Sequence, residues 1–120
     1  MISPEKTARI TKDWIDAWNR HDLDSILSHY TEEAEFTSPF VVRLMGEPSG
    51  TIKGKDRLRE YFDKGLKAYP DLKFELLKVL TGVRSLTIYY RSVKGMLAAE
   101  VMFPGSDGRI ETVIVHYAEG

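Results

Sequence analysis

Apolar residues recur at helical spacing in the first half of the chain and at every second position in the second half. Ile10, Trp14, Ala17, Trp18 and His21 fall on one face at steps of three and four, with Asp13, Asp16 and Arg20 around the others. That spacing predicts an amphipathic helix. Ser3 can cap its start and Pro4 can sit in its first turn. The pattern breaks at Asn19-Arg20-His21-Asp22, and Asp22 can cap a second, short helix carrying Ile26, Leu27 and Tyr30. A third helix is predicted over residues 55–68, with Leu58, Tyr61, Phe62, Gly65, Leu66 and Tyr69 as its apolar stripe and Pro70 as its stop. Between these, residues 40–50 are apolar at first and turn-rich later, which reads as a loop at the edge of a pocket.

Leu72, Phe74, Leu76 and Leu80 then alternate with polar positions, and residues 86–91 are rich in strand formers. Gly82-Val83-Arg84-Ser85, Lys94-Gly95 and Gly105-Ser106-Asp107-Gly108 read as turns. Strands are predicted over 96–103 and 109–117. In the last, Ile110, Thr112, Ile114 and His116 alternate with Glu111, Val113, Val115 and Tyr117. Helices first and hairpin-linked strands last imply an α+β domain, an antiparallel sheet with one face covered by helices. A twisted sheet under helices encloses a cone, whose open end suits a small molecule.

The 120 residues allow one domain, spanning 1–120, and 42% hydrophobic content supplies one core. Seventeen basic against eighteen acidic residues give a net charge of −1, which argues against nucleic acid and against a polybasic membrane surface as partners. No cysteine is present, so thiol chemistry and Cys-type zinc sites are excluded. The three histidines lack metal-ligand spacing, and Gly50 to Asp56 fails the spacing of a phosphate loop. No metal and no cofactor are expected. With no long apolar run and no leader pattern at the N-terminus, the expected location is cytoplasmic.

One acid stands out. Glu100 shares a strand face with Met96, Ala98 and Met102, while Leu97, Ala99, Val101 and Phe103 take the other. Both faces are apolar, so Glu100 is expected to be buried, with its pKa raised towards the range of a general acid or base. Turn-centred pairing places Val113 opposite Glu100 and Leu97 opposite His116, so His116 reaches Glu100 only diagonally or after a slip. The same reasoning at Lys94-Gly95 places Arg91 opposite Glu100. An ion pair there would make Glu100 structural, and this competes with the catalytic reading. Trp14 and Trp18 have a simpler role as core residues.

Further residues carry a resemblance across nearly the whole chain. They are Trp18-Asn19-Arg20-His21-Asp22-Leu23-Asp24, Tyr30, Glu35-Phe36-Thr37-Ser38-Pro39, Gly54 opening a helix with Tyr61-Phe62, Pro70-Asp71-Leu72 and Gly108-Arg109-Ile110. In this order the chain resembles the nuclear-transport-factor-2-like (NTF2-like) superfamily, and within it the SnoaL-like members. The resemblance implies a cone of three N-terminal helices on a curved, mostly antiparallel β-sheet. It implies a pocket drawn from Trp14, Trp18, Tyr30, Phe36, Pro39, Phe40, Tyr61, Phe62, Tyr90, Glu100, Met102 and His116. Such members include isomerases, cyclases, epoxide hydrolases, dehydratases and proteins that only bind, so the site must decide. At Ser38-Pro39 this chain has a serine where ketosteroid isomerases carry an aspartate base, which removes the ground for that activity. The late-strand acid of SnoaL cyclases has its nearest match in Glu100. The expectation is a cofactor-independent isomerase or cyclase working on a small apolar or aromatic ligand, with Glu100, His116 and Tyr90 moving protons and Arg91 among the binding residues. The alternative is a non-catalytic ligand-binding or assembly module. For it, Val101, Phe103, Val113 and Val115 would form an outer sheet face that mediates a homodimer.

Overall fold

The computed structural model describes residues 1–119. Its elements run α1 (Pro4–Asn19), α2 (Leu23–Leu27), β1 (Tyr30–Thr37), α3 (Pro39–Met45), β2 (Thr51–Lys53), α4 (Lys55–Ala68), β3 (Glu75–Thr81), β4 (Leu86–Arg91), a 3-10 turn (Val93–Gly95), β5 (Leu97–Pro104) and β6 (Ile110–Ala118). The six strands form one sheet in the order β2-β1-β6-β5-β4-β3. Only the β1–β6 pair is parallel. This is the α+β cone that the resemblance implies.

The helix starts follow their local chemistry. Ser3 caps α1 by accepting from the Lys6 N–H at 3.1 Å, and Asp22 caps α2 by accepting from Ser25 N–H. The stripe Thr7, Thr11, Trp14, Ala17 and Trp18 faces inward. Two elements differ from the sequence expectation. Tyr30 does not ride on α2; it opens β1. Residues 39–45 are a helix rather than a loop, so four helices cover the sheet. Ser38 caps α3 through the Phe40 N–H at 3.2 Å, Pro39 follows the cap, and Gly46 closes it in the left-handed region at φ 64°. The Ser-Pro pair that starts α1 thus starts α3 as well.

The strand registers also differ, and the differences decide the site. The connection from β4 to β5 is centred on Lys94, so Arg91 faces Leu97 and Glu100 faces Ile88. In the last hairpin Phe103 pairs with Thr112 but Pro104 pairs with Ile110, which leaves Glu111 as an extra residue on β6. The turn is centred on Asp107, which moves the pairing by one residue, and this bulge slides it by one more, placing Val115 rather than Val113 opposite Glu100, and Ala99 rather than Leu97 opposite His116. The bulge also switches faces within β6. Ile110 is buried before the bulge, and Val113 and Val115 are buried after it. Val113 and Val115 therefore belong to the inner face, not to the outer one.

Candidate functional site

Ala98, Glu100 and Met102 point from the middle of β5 into the space between sheet and helices. Glu100 is 3% exposed. Its Oε1 accepts a 2.6 Å hydrogen bond from the Tyr90 hydroxyl on the neighbouring strand. Among the described residues no lysine, arginine or histidine forms an ion pair with it. Burial pushes the Glu100 carboxyl up to about 7, against the opposing effect of the Tyr90 hydrogen bond.

Phenols surround this acid. Burial, reinforced by the Glu100 charge, drives the Tyr90 hydroxyl well above its ordinary value, so Tyr90 stays a neutral donor. Tyr30 lies behind, fully buried, and accepts a 3.0 Å bond from Trp14 Nε1. Its phenol is likewise raised, by burial first and then by Glu100. Tyr61 of α4 and Tyr117 of β6 complete the ring, and burial is the largest cause raising each. The Ser38 hydroxyl near both pulls the other way. Both phenols lie within hydrogen-bonding reach of the Ser38 hydroxyl, and Tyr117 also of Tyr90, so the four hydroxyls form one polar cluster beside Glu100.

The apolar wall is built from edge-packed rings. Trp14 stacks on Phe74 at 5.6 Å and meets Tyr90 edge-on at 5.4 Å. Trp18 meets Phe62 edge-on at 5.1 Å, and Phe36 meets Phe62 at 5.4 Å. At the rim Phe40 of α3 stands edge-on to Tyr117 at 4.9 Å and to Tyr69 at 6.0 Å. These rings leave a cavity of about 60 Å³. That is well below the roughly 150 Å³ of a dry cavity that takes up benzene. The hollow is mostly filled by its own lining, and a ring-sized ligand requires the wall to open.

Of the residues singled out from sequence, Trp14, Trp18, Phe36, Phe40, Tyr61, Phe62, Tyr90 and Glu100 come together around this cavity. Tyr30 and Met102 are buried beneath the wall rather than on it. Pro39 is exposed at the start of α3. His116 projects from the outer face of β6 and is exposed, because the Glu111 bulge puts Tyr117 inside in its place. It has no access to Glu100 and leaves the candidate site. Arg91 also leaves it. Its guanidinium sits 3.7 Å from Glu75 and donates to the Gly95 carbonyl at 3.0 Å, so the expected Arg91–Glu100 ion pair does not form.

Several site residues escaped the sequence reading: Tyr117, Tyr69, Phe74, Leu44, Ser92 and Val93 line the cavity too. The signal for Tyr117 was present, since Val113-x-Val115-x-Tyr117 is the more apolar of the two alternating sets in β6. Asn19 and His21 have a positioning role. The Asn19 side chain accepts from the Phe74 N–H at 2.7 Å and donates to its carbonyl at 3.0 Å. His21, in the left-handed region at φ 56°, reaches the Leu72 carbonyl through Nε2 at 2.8 Å. Together they tie the end of α1 to the segment that supplies Leu72 and Phe74.

Comparison with known proteins agrees with this architecture. No curated protein matches the chain. A SnoaL-like protein of unknown function from Burkholderia thailandensis is 45% identical, with 98% of each chain covered and a TM-score of 0.94. An NTF2-like protein of unknown function from Cytophaga hutchinsonii shares the fold at 16% identity, covering 98% of this chain and 92% of its own, with a TM-score of 0.73. The epoxide hydrolase/cyclase-like enzyme SalBIII, which has a role in pyran ring formation in the polyether salinomycin, shares it at 19% identity, with 98% and 95% covered and a TM-score of 0.77. The family model described as SnoaL-like domain matches residues 11–115. With that span matched, the chain belongs to the SnoaL-like domain family of the NTF2-like superfamily.

Proposed function

We propose that the cavity takes up a small, largely apolar carbonyl compound and that Glu100 moves a proton on it, as in an isomerase that needs no cofactor. The observation that carries this reading is the Glu100 carboxyl: 3% exposed, without a cation, held by one phenol and titrating at about 7. A structural carboxylate is normally satisfied by a cation or by several donors, whereas a general acid/base works best with a pKa near the operating pH. In the proposed step ionised Glu100 takes a proton from the carbon beside the carbonyl. The C–H electron pair moves into the new C=C bond and the carbonyl oxygen becomes the enolate oxygen. Tyr61 and Tyr117 donate to that oxygen and so favour the charged intermediate. With a C=C bond at the β,γ position of the substrate the intermediate is a dienolate; Glu100 then returns the proton to the γ-carbon as the carbonyl re-forms and the C=C bond moves into conjugation, which yields the isomer.

The test is deuterium wash-in at the α-carbons of cyclopentanone in D₂O, followed by NMR. The protein is expected to accelerate exchange with an apparent pKa near 7, and Glu100→Gln is expected to lower the acceleration by about 10²-fold or more. Equal exchange with the two proteins would remove the reading.

The same reading pairs the chain with a second copy through the outer sheet face. Val101 lies opposite Ile114 there, and Phe103 and Ile114 remain 36% and 38% exposed. Such an apolar patch on a sheet is commonly covered by a partner.

A further inference from the structure

One end of the cavity is closed by Tyr69, Leu72, Ser92 and Val93. The same four residues line the inner side of an open groove of about 290 Å³ on the surface. Cavity and groove are thus back to back across one thin wall. Ser92 in that wall is 7% exposed. Its backbone N–H donates to the Met96 carbonyl at 2.7 Å, but its hydroxyl makes no hydrogen bond among the described residues. The hydroxyl is not sealed from solvent, so water can satisfy it and a ligand oxygen can take that water's place.

The outer groove is charged. Lys73 and Lys94 flank it, against the single carboxylate of Asp71. Lys94 stands in the left-handed region at φ 57° within the 3-10 turn, next to Val93 of the wall. Neither lysine forms an ion pair among the described residues, and the nearby Glu75 is already committed to Arg91. The site therefore runs from a greasy interior, past one free hydroxyl, to two free ammonium groups.

We propose that the ligand is an amphipathic carboxylic acid, its apolar end in the aromatic cavity and its carboxylate in the outer groove on Lys73 and Lys94. This rests on the cavity's being a ligand site, and it adds a specificity determinant outside the acid/base group. A neutral ketone would use the cavity alone; an acid uses the groove as well. The wall residues must part for the chain of the ligand to pass, with the Ser92 hydroxyl donating at the passage.

Trp14 and Trp18 are the chain's two tryptophans and both border the cavity, so intrinsic fluorescence reports occupancy. Hexanoate and its neutral isostere hexanamide are the probes. Hexanoate is expected to bind about fivefold more tightly than hexanamide at low ionic strength, the size expected for a pair of exposed ion contacts. The preference should vanish in the Lys73→Gln/Lys94→Gln double variant and in about 0.5 M salt, and widen in Asp71→Asn. Equal affinities for the two probes, or a preference that survives in the double variant, would overturn the carboxylate site and leave the cavity reading standing. Failure of both probes to change the fluorescence would overturn the two together.

Discussion

Burial of Glu100 ties its protonation to the stability of the fold. The carboxyl titrates at about 7 in the folded chain against an ordinary 4.5. The folded state therefore holds a proton that the unfolded state has released. Stability is full below about pH 4.5, falls as pH rises through that interval, and stays low above about 7. The loss is on the order of 3 kcal/mol. Denaturant midpoints measured across this range are expected to fall with pH in the natural protein and to stay level in Glu100→Gln. The exposed Asp16, Asp22, Glu47 and Asp107 have lowered values and act below this window with the opposite sign. Tyr90 holds Glu100 down, so Tyr90→Phe should move the pH profile of proton exchange to higher pH, above the value near 7 expected of the natural protein. A profile unmoved by that substitution would show that the Tyr90 bond does not tune the acid.

Among the elements, α1 is joined to the segment before β3 by the two bonds of Asn19 as well as by the packing of Trp14 and Trp18 on Phe74. Asn19→Ala leaves the Phe74 N–H and carbonyl without their side-chain partner. The expected cost is about 2 kcal/mol, since each of these part-buried bonds contributes on the order of 1 kcal/mol. Hydrogen exchange at the Phe74 amide should accelerate more than at the amides of β5. Uniform acceleration across the sheet would instead mark a global loss. The bulge at Glu111 acts at the same scale. It exchanges His116 for Tyr117 on the inner face, and so changes the chemistry of the site by displacing one residue.

At the scale of the whole molecule, the helices cover only the inner face of the sheet, and the outer face keeps Phe103 and Ile114 partly exposed. Sedimentation at micromolar concentration is expected to give a dimer, and Ile114→Lys to raise the dissociation constant at least about tenfold by placing a charge in an apolar contact. A natural protein that sediments as a monomer would end that proposal. Helix starts at Ser3 and Asp22, the stripe of α4, the strand-rich second half and the burial of Glu100 were all legible in the chain, because capping and hydrophobic period act over a few residues. Ser38-Pro39 carries the same helix signal as Ser3-Pro4, but the apolar run that follows it is too short to show a helical period. What the chain alone places wrongly are the pairings: the structure sets Arg91 against Leu97 and Glu100 against Val115, and turns Tyr117 rather than His116 inward. Each depends on a five-residue connection or a single extra residue, and the energy that selects it comes from packing against distant strands and helices. Local pattern determined the elements and the presence of a buried acid, while only the folded sheet decided which neighbours that acid would have.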